Sequence, residues 1–448
     1  MINKKLQTII NKEKDKLNNE LVLIASENYP SQDILDLMGS VCSVPYTEGY
    51  PLSVSKAGRH YAGCEVIDEL EEYCIEKAKE LFKVDFANVQ PMSGSHANTC
   101  VYYAFCKPGD RTLSASLSTM AHLTHGSKFT HSGRFYENHN YELVDEKLDY
   151  DELKKRLYEV KPRLLITGYS AYSHKIDFQK IREIVDRYNQ DMFNEYMNSS
   201  MHFDKNSNFV ISPDLNKYEK EKCILWTDMA HFSGFIAAHV WEDKYDPTKW
   251  ADVVTTTTHK TLRGPRSAII LWNDPDYSKK INQAVFPGNG GGCNQAATAA
   301  KAQAFIEATT PEFKHYIEQV HTNMQALIEG IKEIDTEKKL RFVSGDITEN
   351  HMILIDVKGA ELSGKEAENM LTRCHIICNK NMISGDTKPS ECTGIRLGTA
   401  AITTRGFTER MSKELGNLIA KILLKQITFD NAELQVNVFL TTIGSFYK

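Results

Sequence analysis

The chain has 448 residues, with 53 Lys and Arg against 59 Asp and Glu, so its formal net charge is -6. The hydrophobic fraction of 41% and the charged fraction of 25% are those of an ordinary globular protein and exclude a disordered or collagen-like chain. The acidic balance argues against nucleic acid as a partner, and the absence of an apolar run of about 18 residues argues against a membrane span.

The N-terminal segment and the cysteines indicate the compartment. The first 20 residues are too polar for a secretory signal and too acidic for a transit peptide. The ten cysteines are scattered and form no CxxC pair, so we expect reduced thiols and no metal site. We therefore predict a cytoplasmic protein.

The elements, taken in chain order, change character twice. The first 25 residues have apolar positions at helical spacing and predict an amphipathic arm. From about residue 66 to 275, helices such as IDELEEYCIEKAKELF alternate with short apolar strands such as CILWTDMA, DVVTTTT and SAIILW. This alternation predicts an α/β fold, in which a mostly parallel sheet has helices on both faces.

After the Gly-rich segment FPGNGGG, a long helical stretch from Ala296 to about Ile334 precedes strand-like segments and a last helix. This order is typical of a smaller α+β domain. At roughly 150 residues a domain, two or three domains are expected. We predict three parts: an N-terminal arm over residues 1–45, a large domain over 46–285 and a small C-terminal domain over 286–448.

One segment interrupts the alternation. About thirty residues rich in Asn, Ser, Met and charge separate a helix that should end near Tyr188 from the strand that begins at Cys223. A loop of this length is uncommon inside an α/β unit and is usually a lid or an exposed insertion. We predict a surface insertion over about residues 189–222, with a functional lid as the alternative.

Lys260 and Asp228 are the first candidates for chemistry. Lys260 lies between an apolar strand with four threonines and a Gly-Pro turn, where poor solvation would lower its pKa and make it a usable amine nucleophile. Asp228 ends an apolar strand, and ligands of such sheets bind at the carboxyl ends of the strands. A Schiff-base lysine and an acid that keeps a pyridine ring protonated are the needs of pyridoxal phosphate (PLP). Each residue also has a structural interpretation, as a solvated lysine and a helix-capping aspartate.

The segment PMSGSHAN would hold the phosphate group of such a cofactor. Ser93, Gly94 and Ser95 come directly after a strand and open a helix. Free backbone N–H groups and the positive end of the helix dipole favour an anion there. Gly and Ser also mark ordinary turns, so this motif depends on Lys260 and Asp228 for support.

Taken together, these motifs resemble the serine hydroxymethyltransferase family, PLP enzymes of fold type I, the aspartate-aminotransferase type. The matching stretches span about residues 21 to 407 in the order of the family. They are LIASENYPS, YTEGYP, RHYAGCEVIDELE, NVQPMSGSHAN, HLTHGS, TDMAHFSGFIAA, VVTTTTHKTLRGPR, FPGNGGG, NKN and GIRLGTAAITTRGF. The combination of TTTTHKT with GIRLGT is the most specific part of the resemblance.

The resemblance implies transfer of the hydroxymethyl group of serine to tetrahydrofolate, which gives glycine and 5,10-methylenetetrahydrofolate. Lys260 would hold PLP covalently, Asp228 would pair with the pyridinium nitrogen, and His122 would stack on the ring. Thr257 would be a further catalytic residue. The other cofactor contacts implied are Ser93, Gly94, Ser95, Ser170, His231, Arg266, Tyr46, Gly291 and Gly292.

The resemblance also implies a substrate site that two subunits share, and hence a homodimer or a larger homo-oligomer. Arg396 would grip the amino-acid carboxylate with the help of Ser26. Tyr46, Glu48 and Tyr61 would reach the site of the neighbouring subunit, where Glu48 would act as acid/base. The implied contacts of the folate are Leu117, Ala121, Leu123 and Asn381.

Several positions depart from the pattern of the family. The loop after Glu48 is about five residues longer than usual. The substituted positions are Met120 and Ala121 for paired glycines, Gly290 for Gln, Cys293 for Pro and Ser390 for Phe. Most of these lie on the folate side or at the subunit interface, so we expect weaker tetrahydrofolate binding and intact PLP chemistry.

Two other functions remain open at this point. A PLP enzyme of the same fold could act as a β-hydroxy-amino-acid aldolase or could transfer the hydroxymethyl group to another acceptor. A catalytically weak homologue could serve as a binding or regulatory protein. Retention of Lys260 argues against the second alternative, and retention of Glu48 argues against the first.

Overall fold

The structure is a computed structural model that describes residues 2–117, 120–203, 209–211, 218, 222–388 and 391–447. Its strands are β1 Leu21–Val22, β2 Phe86–Asn88, β3 Arg111–Ala115, β4 Glu137–Tyr141, β5 Leu164–Thr167, β6 Met201–Phe203, β7 Phe209–Ile211, β8 Ile224–Asp228, β9 Val253–Thr257, β10 Ala268–Trp272, β11 Arg341–Phe342, β12 Met352–Asp356, β13 Ile376–Ile377, β14 Asn379–Asn381 and β15 Gly394–Gly398.

The α-helices alternate with these strands along most of the chain. They are α1 Lys4–Asn19, α2 Gln32–Met38, α3 Glu65–Phe82, α4 Gly94–Phe105, α5 His131–Phe135, α6 Tyr150–Val160, α7 Phe178–Ser199, α8 Ser233–Ala237, α9 Pro275–Gln283, α10 Gln295–Ala308, α11 Pro311–Ile334, α12 Gly364–Arg373, α13 Ala400–Thr404, α14 Glu409–Leu423 and α15 Phe429–Ile443.

A seven-stranded sheet forms the centre of the large domain, in the order β2-β10-β9-β8-β5-β3-β4. Its strands run parallel except for β10, which is antiparallel to both of its neighbours. All residues of β8 and β9 are buried, as expected for central strands covered on both faces. The mostly parallel sheet predicted from the sequence is therefore confirmed.

The C-terminal part has its own antiparallel sheet, in the order β11-β12-β15-β14. The N-terminal segment joins this part, since β1 pairs in parallel with β13 and Leu21 and Leu23 are fully buried in the same hydrophobic cluster. Burial of two leucines in this cluster ties the start of the chain to residues more than three hundred positions away. The predicted domain boundaries stay a prediction.

The helical stretch predicted from Ala296 to about Ile334 consists of two helices, α10 and α11. Thr310 caps the second helix by accepting a hydrogen bond from the backbone N–H of Phe313 at 3.2 Å, and Pro311 occupies the first helical position. Proline suits that position because its missing N–H would be unpaired there anyway. The predicted helical stretch is therefore confirmed, with a break at Thr309 and Thr310.

The helix before the predicted insertion does not end near Tyr188, because α7 continues to Ser199. Strands β6 and β7 then pair antiparallel. Tyr218 packs its ring 5.1 Å from that of Phe193, and its hydroxyl donates to the backbone oxygen of Asn189 at 2.8 Å. Much of the segment lies outside the described residues, so its role as a surface insertion stays a prediction.

The predicted N-terminal arm begins with a helix, α1, that has no buried residue. Leu6, Ile9 and Ile10 are each more than half exposed along it. Within the described part of the chain, no helix combines the length and the apolar character that a membrane crossing needs.

Helices α11 and α14 pack unusually closely, and this contact generates a stability prediction. A Cβ added at Gly416 would lie 2.1 Å from the backbone oxygen of Leu327. We expect Gly416→Ala to force the helices apart and to destabilise the protein by about 1–3 kcal/mol, the usual cost of overpacking. Urea unfolding followed by circular dichroism measures the change.

Gly39→Ala is the matched control for this prediction. Gly39 has a φ of -94°, and the nearest atom to an added Cβ is 3.6 Å away, so alanine fits there. Equal shifts of the unfolding midpoint in the two variants would show that the helix contact is not tight.

Candidate active site

A cavity of about 190 Å³ lies at the carboxyl ends of the central strands. Asp228 ends β8 and Thr257 ends β9, so the parallel strands bring both side chains to one edge of the sheet. The predicted residues that line the cavity are Ser93, Gly94, Ser95, His122, Ser170, Asp228, His231, Thr257 and Lys260. A larger groove of about 500 Å³ lies near Arg111 and Glu137, at the amino ends of strands, where this class of sheet does not bind its ligands.

Lys260 lies in the turn that follows β9 and is 7% exposed. Its backbone oxygen accepts hydrogen bonds from the backbone N–H of Arg263 at 3.1 Å and from the side-chain amide of Asn28 at 2.9 Å. Burial lowers the pKa of the Lys260 amine to about 8, although the negative charge of Asp228 acts in the opposite direction. Near neutral pH a useful fraction of this amine is therefore unprotonated and nucleophilic.

Asp228 is a buried carboxylate with three donors. One of its oxygens accepts from the amide of Asn98 at 2.9 Å and faces Nε2 of His125 at 3.2 Å, and the other accepts from the backbone N–H of Ala230 at 3.1 Å. Burial alone would raise the pKa of Asp228, but its hydrogen bond with His125 and the nearby positive charge of Lys260 hold the pKa well below its usual range. The group thus stays ionised, as a partner for a protonated pyridine nitrogen must.

A hydrogen-bonded chain connects Asp228 to the His122 ring. Asn98 donates to the hydroxyl of Thr124 at 2.8 Å, and that hydroxyl lies 2.6 Å from Nδ1 of His122. The backbone N–H of Thr124 also donates to Nδ1 at 3.2 Å, so this nitrogen is an acceptor. Burial lowers the pKa of His122 to about 4, and the ring is therefore neutral at physiological pH. A neutral, oriented ring suits stacking on an aromatic cofactor.

The start of α4 forms an anion-binding cradle. Ser93 caps the helix by accepting from the backbone N–H of His96 at 3.1 Å, and Gly94 and Ser95 follow as its first residues. A Cβ at Gly94 would lie 2.7 Å from Cγ2 of Thr257, so only glycine fits without a shift. The buried Thr257 hydroxyl has no hydrogen-bond partner among the described residues. This arrangement leaves N–H and O–H donors for a phosphate group.

Arg396, on β15, brings a positive charge from the C-terminal sheet toward the cavity. Its Nε donates to the side-chain oxygen of Asn379 at 3.2 Å, and Nη1 donates to the backbone oxygen of Ser170 at 2.5 Å. Burial lowers its pKa to about 10, so the guanidinium remains charged at neutral pH. Among the described residues no carboxylate pairs with it. A buried guanidinium of this kind is suited to a carboxylate ligand.

Two further predicted residues lie close to this end of the cavity. The ring of His231 faces His351, with Nδ1 and Nε2 3.3 Å apart, and burial holds the pKa of His231 well below its usual range. Ser26 follows Ala25, and the backbone of Ala25 lies against Gly398 at the end of β15. A Cβ added at Gly398 would lie only 2.6 Å from the Cα of Ala25. Ser26 is thus near the strand that carries Arg396.

A second group of predicted residues lies outside the cavity lining, on the surface. Tyr46 is 59% exposed and Tyr61 is 47% exposed, and their rings are 5.1 Å apart. The Tyr46 hydroxyl donates to Glu48 at 3.4 Å, and the negative charge of Glu48 raises the pKa of Tyr61. The Gly-rich loop joins this group, since a Cβ at Gly291 would lie 3.2 Å from a Glu48 oxygen. A Cβ at Gly292 would lie 3.6 Å from a ring carbon of Tyr46.

The four residues predicted to contact the folate differ in how deeply they are buried. Ala121 is buried, whereas Leu123 is 48% exposed and Leu117 is half-buried. Asn381 is half-buried on β14, where its amide donates to the backbone oxygen of Met382 at 2.7 Å. Arg266, a predicted cofactor contact, is exposed beyond the lining, and its charge acts to lower the pKa of Lys260.

Met120, one of the substitutions behind the expectation of weaker folate binding, does not line the cavity. Its side chain is 2% exposed and belongs to the main hydrophobic cluster of the large domain. Its φ of 73° lies in the left-handed region that favours glycine, which accounts for a glycine at this position in the family pattern. Ser390, another of these substitutions, lies outside the described residues.

Sequence reasoning missed four residues around the site: Asn98, His125, His351 and Asn379. Asn98 and His125 belong to the family motifs SGSHAN and HLTHG, but nothing in these motifs indicates that both side chains bind Asp228. Asn379 is two residues before Asn381, and strand alternation places both on one face of β14. His351 precedes β12 with no local signal.

The residues present fit PLP. The cavity combines a phosphate cradle, a carboxylate for the ring nitrogen, a neutral imidazole and a lysine of lowered pKa. Ligand atoms of His122, His125 and Asp228 lie within 4.8 Å of one another and could also hold a metal ion. The hydrogen bond between His125 and Asp228, together with the adjacent Lys260, favours the organic cofactor.

The lowered pKa of Lys260 can be tested on cofactor-free protein. Reductive methylation at several pH values, followed by peptide mapping, reports the fraction of unprotonated amine. We expect modification of Lys260 to rise with a midpoint at about pH 8, because burial disfavours the ammonium form.

Asp228→Asn serves as the comparison, since loss of the carboxylate charge should move this midpoint to lower pH. A midpoint near 10.5, the ordinary value for lysine, would contradict the account of Lys260.

Comparisons with known proteins agree with this site. A sequence model described as serine hydroxymethyltransferase matches residues 1–200 and 215–419. The serine hydroxymethyltransferase of Mycoplasma capricolum is 42% identical over 429 residues, which cover 95% of this chain and 92% of the relative. The enzymes of the same name from Lactobacillus johnsonii and Metamycoplasma arthritidis are 42% and 43% identical and cover 93% of this chain, with 91% and 89% of their own lengths. The chain therefore belongs to the serine hydroxymethyltransferase family, and the predicted fold type I, the PLP-dependent enzyme class and the transfer of the serine hydroxymethyl group to tetrahydrofolate are confirmed.

Proposed function

We propose that this chain carries out the family reaction with PLP held covalently on Lys260, in an active site that a second copy of the chain completes. The proposal is supported above all by the presence of Lys260 and Asp228 in one cavity, where an amine with a pKa of about 8 and an ionised carboxylate line the same space. No ordinary structural role needs both groups buried at this edge of the sheet.

PLP, when bound, supplies an electron sink that stabilises the negative charge left on the α-carbon when the bond to the hydroxymethyl group breaks. Asp228 holds the proton on the ring nitrogen, and Asn98 and His125 hold Asp228 in place. The cradle of Ser93, Gly94 and Ser95 binds the phosphate through N–H and O–H groups.

Arg396 orients the amino acid. Its guanidinium binds the substrate carboxylate, and Asn379 and the backbone oxygen of Ser170 keep its plane fixed. Ser26 assists from the neighbouring N-terminal segment. A fixed carboxylate sets the direction of the bond to be broken relative to the cofactor ring, which is a positioning contribution to the rate.

The second copy is proposed because Glu48, Tyr46 and Tyr61 do not line the cavity of their own chain. They are accompanied by strongly exposed apolar side chains, including Val41 at 83% and Val44 at 80%. Exposed apolar surface of this kind is typical of a protein interface. In a symmetric dimer each chain would give its Glu48 loop to its partner, where Glu48 acts as acid/base toward the hydroxymethyl group and the folate.

A cytoplasmic location is also proposed, supported by ten cysteines that are all free thiols. The proposed function itself is tested by tetrahydrofolate-dependent cleavage of serine, measured beside folate-independent cleavage of allo-threonine. We expect the folate-dependent reaction to be the faster of the two. Fast allo-threonine cleavage with no response to tetrahydrofolate would instead indicate an aldolase.

Arg396→Ala should raise the KM for serine by about tenfold or more, because a charge-assisted hydrogen bond contributes roughly 1.5–3 kcal/mol. Steady-state kinetics measure the change, and the absorbance of bound PLP should remain close to that of the parent. Arg396→Lys keeps the charge but loses the planar fork, so its KM should be intermediate. An unchanged KM for serine in both variants would remove Arg396 from the substrate site.

Mixed dimers test whether the site is shared. A Lys260→Ala chain paired with a Glu48→Ala chain retains one complete site, in which Lys260 and Glu48 come from different chains. Such dimers, isolated with two affinity tags, should show about half the parent activity, as two-fold symmetry requires.

The control pairs a chain carrying both substitutions with a parent chain. A shared site predicts that these dimers are nearly inactive, because the only Lys260 is then completed by Ala at position 48 of the other chain. Activity in the control together with inactivity in the first pairing would place Glu48 in the site of its own chain.

A further inference from the structure

Glu71, on α3, is a buried carboxylate that the mechanism above does not use. It is 1% exposed. Its oxygens accept from Nη2 of Arg59 at 2.8 Å, from the side-chain amide of Gln90 at 2.8 Å and from that of Gln295 at 3.0 Å. These three donors come from three separate segments of the chain, so one side chain connects them.

The first segment is the Glu48 loop. Arg59 donates to the backbone oxygens of Thr47 and Gly49, each at 2.8 Å, and these residues flank Glu48 directly. Gln90 also donates to the backbone oxygen of Gly49, at 2.9 Å. The backbone on both sides of Glu48 is therefore held by donors that Glu71 orients.

The second segment is the Gly-rich loop. Gln295 donates to the hydroxyl of Thr47 at 3.1 Å and approaches the sulfur of Cys293 at 3.0 Å. Cys293 directly follows Gly292 and stands where the family pattern has proline. Because proline would restrict the backbone at that position and cysteine does not, the contacts to Gln295 and Glu71 carry more of the positioning in this chain.

The third segment leads to the phosphate cradle of the same chain. Gln90 follows β2 and precedes Ser93 by three residues. Its backbone N–H donates to the side-chain oxygen of Asn88 at 3.0 Å, and the fully buried Lys301 donates to the backbone oxygen of Val89. The strand end that precedes the cradle is therefore also held by bonds that do not involve Glu71, so the cradle of the same chain does not depend on Glu71 alone.

We propose that Glu71 is a positioning residue that holds the Glu48 loop and the Gly291–Gly292 loop in the arrangement that completes the active site of the partner chain. The inference rests on the proposed shared site. A buried ion pair is weak evidence for a stabilising role, since an apolar pair of similar volume often serves stability as well. Directional bonds to the Glu48 loop and to the segment that follows the Gly-rich loop instead serve geometry, and these two loops are the ones assigned above to the active site of the other subunit.

Glu71→Gln keeps the shape of the side chain but removes the charge that orders Arg59. In the homodimer we expect folate-dependent serine cleavage to fall about tenfold or more, the effect of losing a hydrogen bond to a charged group. Folate-independent allo-threonine cleavage should fall much less than folate-dependent cleavage, because Lys260, Asp228 and Arg396 are untouched. Glu80→Gln, on the exposed face of the same helix, is the matched control and should match the parent.

Mixed dimers then locate the effect. In the first pairing, one chain carries both Glu71→Gln and Lys260→Ala and the other is a parent chain. The remaining Lys260 is then in the parent chain, and the altered loops of the double variant complete its site. In the second pairing, a Glu71→Gln chain is combined with a Lys260→Ala chain. The remaining Lys260 is then in the Glu71→Gln chain, and the intact loops of the Lys260→Ala chain complete its site. We expect loss of activity in the first pairing and activity equal to that of a parent and Lys260→Ala dimer in the second.

Equal loss in both pairings, or loss only in the second, would overturn the proposal. The Lys260→Ala and Glu48→Ala dimers described above test the shared site separately, so failure of the two ideas can be told apart. If Glu71→Gln does not fold, Gln295→Ala in the same two pairings takes its place, because it removes the link between the Gly-rich loop and Thr47. No difference between the Gln295→Ala pairings would equally contradict the proposal.

Discussion

The site depends on keeping one buried carboxylate ionised. Asp228 is enclosed at the end of a central strand, where burial favours its neutral form, and the hydrogen bond with His125 and the nearby charge of Lys260 reverse that preference. Asn98 and the backbone N–H of Ala230 are its other donors. Its charge in turn raises the pKa of the nearby Lys260 and limits the effect of burial on that amine. The cofactor ring needs the same charge to remain an electron sink.

The topology brings these groups together without local sequence contacts. The parallel strands β8 and β9 present Asp228 and Lys260 at one edge, and α4 aims its N-terminus at the same place. Arg396 comes from the C-terminal sheet and reaches the backbone of Ser170 in the large domain. Glu48 and the Gly-rich loop are built on the same chain but face outward, so the proposed reaction needs two copies.

Local patterns predicted the parts of this arrangement that depend on neighbouring residues. The strand ends at Asp228 and Thr257, the turn at Lys260 and the helix start at Ser93 are all visible in the sequence. The antiparallel direction of β10, the contact of His351 with His231 and the extension of α7 past Tyr188 depend on packing against distant residues, which no local pattern shows. The burial of the Met120 side chain could not be predicted either, because it accompanies a left-handed φ that only the backbone structure reveals.

Borohydride reduction of the purified enzyme, followed by peptide mapping, tests the central claim most directly, since it fixes the cofactor covalently to the lysine that holds it. We expect the pyridoxyl group on Lys260 and on no other lysine. Lys301 is the informative comparison, because it is also fully buried with a pKa lowered by burial, but it lies in the network of Glu71 instead of the cavity. Label on Lys301, or on an exposed lysine, would contradict the account.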